Sequence, residues 1–125
     1  SDTLALANHG PLADQIGSLS GYGWAAEFLS RFVHDERLLT LEDGIRRITS
    51  LPAERLGLEG RGVLRPGQYA DIVAFDFESV RSRFTFSDPR QHPAGFKHVW
   101  VNGELAVRDG ARTNSGSGRV LRRNS

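Results

Sequence analysis

The sequence predicts an α/β chain: a long opening loop, two helices, then a small antiparallel sheet of about four strands. Three observations carry this. Apolar residues recur at helical spacing from Trp24 to Val33, and again at Leu41, Ile45 and Ile48. After Gly57 the period becomes strand-like. Asn102-Gly103 stands between two apolar runs, the strongest short-range cue for a hairpin with a type I′ turn.

Composition narrows the class. A chain of 125 residues defaults to one domain and can bury a modest core. Only 38% of residues are hydrophobic and 14 are glycine, which leans toward a loop-rich or incomplete unit. Sixteen Lys and Arg balance fifteen Asp and Glu, so there is no general charge-based reason to expect nucleic acid or an acidic membrane surface. The absence of cysteine removes disulfides and thiolate metal sites, and fits a cytoplasmic setting. No run of 18 apolar residues is present to span a bilayer, and no basic-then-apolar signal peptide opens the sequence. The abrupt start at Ser1-Asp2, with no Met, is that expected of a piece of a longer chain.

Residues 1–22 show neither a helical row nor alternation, and Gly10-Pro11 and Gly17 to Gly21 break them, so a long loop is expected. A loop of that length is often functional. Its reactive groups are Asp2, His9, Asp14 and Tyr22, whose spacing matches no metal or triad pattern. Residues 23–36 form a helix whose apolar stripe, Trp24, Phe28 and Phe32 with Ala25, Leu29 and Val33 beside them, is read as core, with His34 off the stripe and facing solvent. Thr40 caps the next helix, with Asp43 three residues on approximating a capping box. Leu41, Ile45 and Ile48 are its buried row. Leu51-Pro52 is expected to stop it, Pro52 to open a further turn, and Gly57 to end that turn as a left-handed cap.

The centre of the second half is Gly60 to Asp76. It reads as a short strand, a type II turn on Pro66-Gly67, and a longer inner strand covered on both faces. Asp71 is its exception, a carboxylate capping backbone N–H groups. Pro89 and Pro93 exclude a central strand from residues 77–95, which are expected to lie across the surface, pinned by aromatics. A two-residue turn at Asn102-Gly103 pairs Val101 with Glu104, Trp100 with Leu105, Val99 with Ala106 and His98 with Val107. Asp109-Gly110 turns the chain again. Residues 113–119 read as flexible, and the basic end from Arg119 either docks Val120 and Leu121 or frays.

Periodicity and spacing assign no activity. No phosphate-binding glycine loop follows a strand, and His9, His34, His92 and His98 are too scattered to build a zinc site from local spacing. A stand-alone, non-catalytic β binding or structural domain with a helical lead-in fits these features as well as an enzyme does.

Several stretches resemble a known family. Gly60-Arg-Gly-Val-Leu-Arg-Pro-Gly-Gln-Tyr-Ala-Asp-Ile-Val-Ala-Phe-Asp76 looks like the segment near the C-terminus of amidohydrolase-superfamily enzymes. Lys97-His-Val-Trp-Val-Asn-Gly-Glu104 resembles the hairpin that follows it, and Leu51-Pro-Ala-Glu-Arg-Leu-Gly57 the last helix. A finer resemblance, to N-acyl-D-amino-acid deacylases, runs through Ser1 to Leu6, Leu38 to Gly57, Asp88-Pro89 with Ala94-Gly95, and Gly118 to Arg123.

The resemblance implies an α/β fragment of a larger enzyme. Residues 1–57 would be the end of the last strand, the active-site loop and the final helices of a (β/α)8 barrel. Residues 58–125 would be the C-terminal strands of a small β-sandwich. Ser1-Asp2 matches the family's Ser-Asp motif, which places Asp2 at the catalytic mouth of the barrel. Asp2 would act there as general base and then general acid beside zinc, touching the metal weakly or indirectly. The other ligands would lie in the N-terminal remainder of the parent. Residue 3 is Thr where the family often has Gly. Tyr22 and His9, in the loop bordering the pocket, would contact an N-acyl-amino-acid substrate. The resemblance further implies that the chain alone binds no catalytic zinc, hydrolyses nothing, and self-associates through its uncovered Trp24–Phe28–Phe32 row. A cyclic-amidase or dihydroorotase-like hydrolase is the alternative enzyme class.

Overall fold

A computed structural model describes residues 5–7, 9–15, 17–18 and 20–121. The chain divides into two compact units, Ser1–Leu38 with Phe77–Gly95, and Leu39–Asp76 with Phe96–Ser125. The division expected at residue 57 concerns the architecture of a parent enzyme and is a different partition from this one.

In the first unit, helix α1 (Trp24–Glu27) continues directly into a π-helix over Phe28–Asp35. The wider turn is visible in the Glu36 N–H, which donates to the Arg31 carbonyl five residues back at 2.8 Å. It also changes which residues face inward. The buried positions are Ala26, Leu29, Ser30 and Val33, whereas Trp24, Phe28 and Phe32 are half-buried. Leu29 and Val33 of the expected stripe are therefore the core, and its aromatic row is the flank. Val80, fully buried, stands out in the segment 77–95 and is, with Leu29, the largest fully buried side chain. Gly95 has φ +88°, and a Cβ there would stand 2.6 Å from the backbone of Val80. A bridge between Arg81 and Ala94 closes this excursion, and the Phe84 ring takes the space a Cβ on Gly23 would need. The expectation that aromatics pin the segment thus holds for Phe84 and for Phe77, which meets the His34 ring, but not for Phe86, 90% exposed.

In the second unit, α2 (Leu41–Ile48) starts as its sequence dictates: the Thr40 hydroxyl accepts the Asp43 N–H at 3.2 Å. The break falls at Thr49, not at Leu51-Pro52. Thr49 leaves helical geometry while its hydroxyl donates back to the Ile45 carbonyl at 2.7 Å. Helix α3 (Ser50–Leu56) begins there, with Pro52 inside its first turn, where a missing N–H costs nothing. Gly57 caps it at φ +67°, and the Leu58 and Gly57 N–H groups return to Ala53 and Glu54, the two bonds of a Schellman motif.

Among the described residues four strands form, β1 (Ile72–Phe75), β2 (Phe96–Val101), β3 (Glu104–Arg108) and β4 (Ala111–Arg112), antiparallel in that order. Two expectations are corrected. Residues 61–65 form no strand; the Pro66-Gly67 turn closes as expected, the Gln68 N–H donating to Arg65 at 3.2 Å, but only Ile72–Phe75 joins the sheet. That strand is an edge, not an inner strand: among the described residues only β2 pairs with it, and Val73 is 47% exposed. The hairpin turn is type I′, with Asn102 at φ 50° and Gly103 at 85°. Its first two pairs form as expected. A bulge then shifts the register, so Val99 meets Val107 and His98 meets Arg108. The alternation read from sequence was sound near the turn and failed one bulge away, since an extra residue sends every later side chain to the other face. Residues 113–117 are tied down: Thr113 donates to Leu105, Ser115 to Glu104, and the Ser117 carbonyl accepts from Asn102. Val120 does not dock, being 86% exposed.

Candidate active-site loop

The loop expected to carry chemistry lies in the first unit. Asp2 is outside the described residues. His9 is exposed and Asp14 is exposed, on successive turns of the chain. Gly10-Pro11 makes the first turn, closed by the Ala13 N–H on the Gly10 carbonyl at 3.0 Å, with Pro11 in the position that suits its fixed φ. The Gln15 N–H then donates to Leu12 at 3.2 Å.

Tyr22 is half-buried. Its hydroxyl donates to the Leu6 carbonyl at 2.6 Å, and its ring meets the edge of His92 at 5.1 Å. It is thus a strut between the two ends of the loop.

The residue that spacing did not reveal is Arg90. Its guanidinium donates to four loop carbonyls: Nη1 to Ala7 at 3.2 Å and Ala13 at 2.5 Å, and Nη2 to Leu12 at 3.3 Å and to Gln15. A planar fork with five donors can serve several acceptors at once, which an ammonium on a flexible stem does less well. No local pattern announces this role, because the carbonyls lie more than seventy residues earlier in the chain.

A second polar cluster joins the π-helix to the 3₁₀ turn Phe77–Ser79. His34 Nδ1 lies 2.7 Å from Asp35 and Nε2 3.0 Å from Glu78, with Arg81 3.7 Å from Asp35. Both ring nitrogens face carboxylate oxygens, so both must donate, which only the imidazolium can do. Glu78 first, then Asp35, raises the pKa of His34 above its ordinary value; His34 holds Asp35 below its own. The half-buried ring, 24% exposed, corrects the expectation that it faces solvent.

The third cluster secures the sheet. Asp71 accepts the Asn102 backbone N–H at 2.8 Å and a guanidinium N–H of Arg61, whose Nη2 donates to the Asn102 side chain at 2.6 Å. Arg61 also lies over the Tyr69 ring at 4.1 Å. The capping role read for Asp71 is the observed one.

Among the described residues, no three His, Asp or Glu side chains gather closely enough to hold a metal ion. The zinc implied by the family resemblance does not fit these residues alone.

Residues 11–107 match the amidohydrolase family model, and the chain belongs to that family. It is 41% identical over 104 residues to N-acyl-D-glutamate deacylase of Alcaligenes xylosoxydans xylosoxydans, covering 83% of this chain and 21% of that protein. The crystal structure of D-aminoacylase, described as defining a subset of the amidohydrolases, superposes with a TM-score of 0.82 at 36% identity, over 86% of this chain and 23% of that one. N-acyl-D-glutamate deacylase from Bordetella bronchiseptica, complexed with zinc and a phosphonate mimic of the tetrahedral intermediate, superposes at 0.70 and 37% identity, over 77% and 21%. The chain thus spans about a fifth of the length of these relatives.

Proposed function

We propose that this chain is the C-terminal segment of a zinc-dependent amidohydrolase that cleaves the amide of N-acyl-D-amino acids, releasing a carboxylate and a free D-amino acid. The similarity to deacylases acting on D-amino-acid derivatives across four fifths of the chain carries the reading. In this assignment residues 1–57 close the barrel and residues 58–125 complete the sandwich. The N-terminal remainder of the parent supplies the other metal ligands. Zinc, when bound there, makes water more acidic and polarises the amide carbonyl. The Asp2 carboxylate takes the proton of the attacking water and returns it to the departing nitrogen, a role that needs hydrogen-bond reach to both. Tyr22 and His9 stand at the rim that meets substrate. The assigned setting is cytoplasmic; no helix among the described residues is long and apolar enough to cross a membrane.

The test uses the full-length, zinc-loaded parent on N-acetyl-D-amino acids, their L-enantiomers, hydantoins and dihydroorotate. Hydrolysis of the D-substrates, with Asp2→Asn lowering kcat by about a hundredfold or more at unchanged metal content, is expected. Activity confined to cyclic amides overturns the assignment, as does an Asp2→Asn variant of full activity.

A further inference from the structure

We propose that Arg90 is the positioning residue that sets the shape of the substrate-facing loop, an inference that rests on reading this loop as the rim of the deacylase pocket. The described residues between Ala5 and Gln15 have no helix or strand of their own to hold them. Their described backbone bonds are the two local turns at Ala13 and Gln15. Both turns are gripped from outside at their carbonyls. Leu12 and Ala13 belong to the first turn, Gln15 closes the second, and Ala7 fixes the approach, and all four accept from the one guanidinium.

Arg90 is itself anchored. It lies between Pro89 and Pro93, whose rings fix their own φ and so limit the freedom of the segment on either side of it. The turn before it is closed twice, the Thr85 N–H donating to the Asp88 carbonyl and the Asp88 N–H to the Thr85 hydroxyl, each at 3.0 Å. After it, the Ala94 N–H donates to Arg81 at 2.9 Å. Two residues on, His92 meets the ring of Tyr22, whose hydroxyl holds Leu6 beside Ala7. The segment from Thr85 to Ala94 is therefore a brace, and Arg90 is its point of attachment to the loop. Such a brace acts on binding: it organises contacts made equally in the ground and transition states, so its loss raises KM more than it lowers kcat.

The experiment compares the zinc-loaded full-length parent with its Arg90→Lys and Arg90→Ala variants by amide hydrogen exchange and by steady-state kinetics on an N-acetyl-D-amino acid. Arg90→Lys keeps the charge and most of the stem, which guards against a variant that merely fails to fold. The expected result is faster exchange at the Ala13 and Gln15 amides in both variants, with KM up about tenfold and kcat within about threefold. Added methylguanidinium should restore both in Arg90→Ala and not in Arg90→Lys, a response that a general loss of stability does not give. Unchanged exchange at Ala13 and Gln15 overturns the brace. Faster exchange with unchanged KM overturns the role in substrate binding while leaving the brace standing. A wild-type parent inactive on every N-acyl-D-amino acid sinks the deacylase reading instead, and exchange still decides whether Arg90 holds the loop.

Discussion

At the scale of single residues, charge pairs decide more than their number suggests. Arg61 has a side chain only 10% exposed, with Asp71, Asn102 and Tyr69 around it. Asp71→Ala removes the acceptor of both a largely buried guanidinium and the Asn102 N–H, and should cost about 1–3 kcal/mol, read as a lower urea midpoint at constant slope. Asp71→Asn keeps one acceptor and should cost less. His34 offers a pH test. Its folded pKa is raised, so its contribution is fully present below about 6.5 and is lost as pH rises through the folded value. Asp35 has the opposite sign: its contribution is present above about 3.9 and is lost as pH falls through its lowered value. Wild type should therefore lose stability from about pH 6.5 upward relative to His34→Gln. Parallel stability curves for the two proteins across that range would refute the clasp. The capping role of Asp71 was legible in the sequence from a carboxylate at the start of a strand, whereas its partner, the Asn102 N–H, was not. Arg90 and the His34–Glu78 pair were not, since their partners are distant in sequence and carry no local pattern.

At the scale of elements, most turns and caps followed the sequence, whereas the helix break and the sheet register did not. The Thr40 cap, the Gly57 Schellman end and the type I′ turn at Asn102-Gly103 rest on φ preferences and short-range bonds, which a few residues specify. Replacing the Thr40 hydroxyl by Thr40→Ala should cost about 1 kcal/mol, measured by chemical denaturation. Gly95→Ala should cost more, about 2–4 kcal/mol, because it combines a positive φ with a clash against backbone that has no rotamer to yield. A smaller loss in that variant would mean that the Val80 backbone shifts freely. The inward stripe of the first helix contains Leu29 and Val33 as its sequence implies, but its aromatics lie at the edge of the core rather than in it. The sheet register was misread because a bulge leaves no mark in the apolar alternation.

At the scale of the whole molecule, large apolar side chains remain uncovered: Phe86 at 90%, Leu64 at 74%, Leu38 at 65% and Leu56 at 62%, beside the half-buried Trp24, Phe28 and Phe32. The isolated chain should therefore self-associate and show no amidase activity on N-acetyl-D-amino acids. A monomer in sedimentation with a sharp thermal transition would contradict the first part, and turnover by the chain alone the second. By itself, the sequence determined the family, through the Gly60–Asp76 and Lys97–Glu104 stretches, and the Thr40 cap, the Gly57 helix end and the turns at Pro66-Gly67 and Asn102-Gly103. Such turns are decided by neighbours in the chain. Only the tertiary structure decided that the aromatics of the first helix flank its core, that β1 lies at an edge, and that Arg90 grips a loop far earlier in sequence. Those outcomes depend on what lies opposite each surface, and a guanidinium finds its carbonyls by proximity in space.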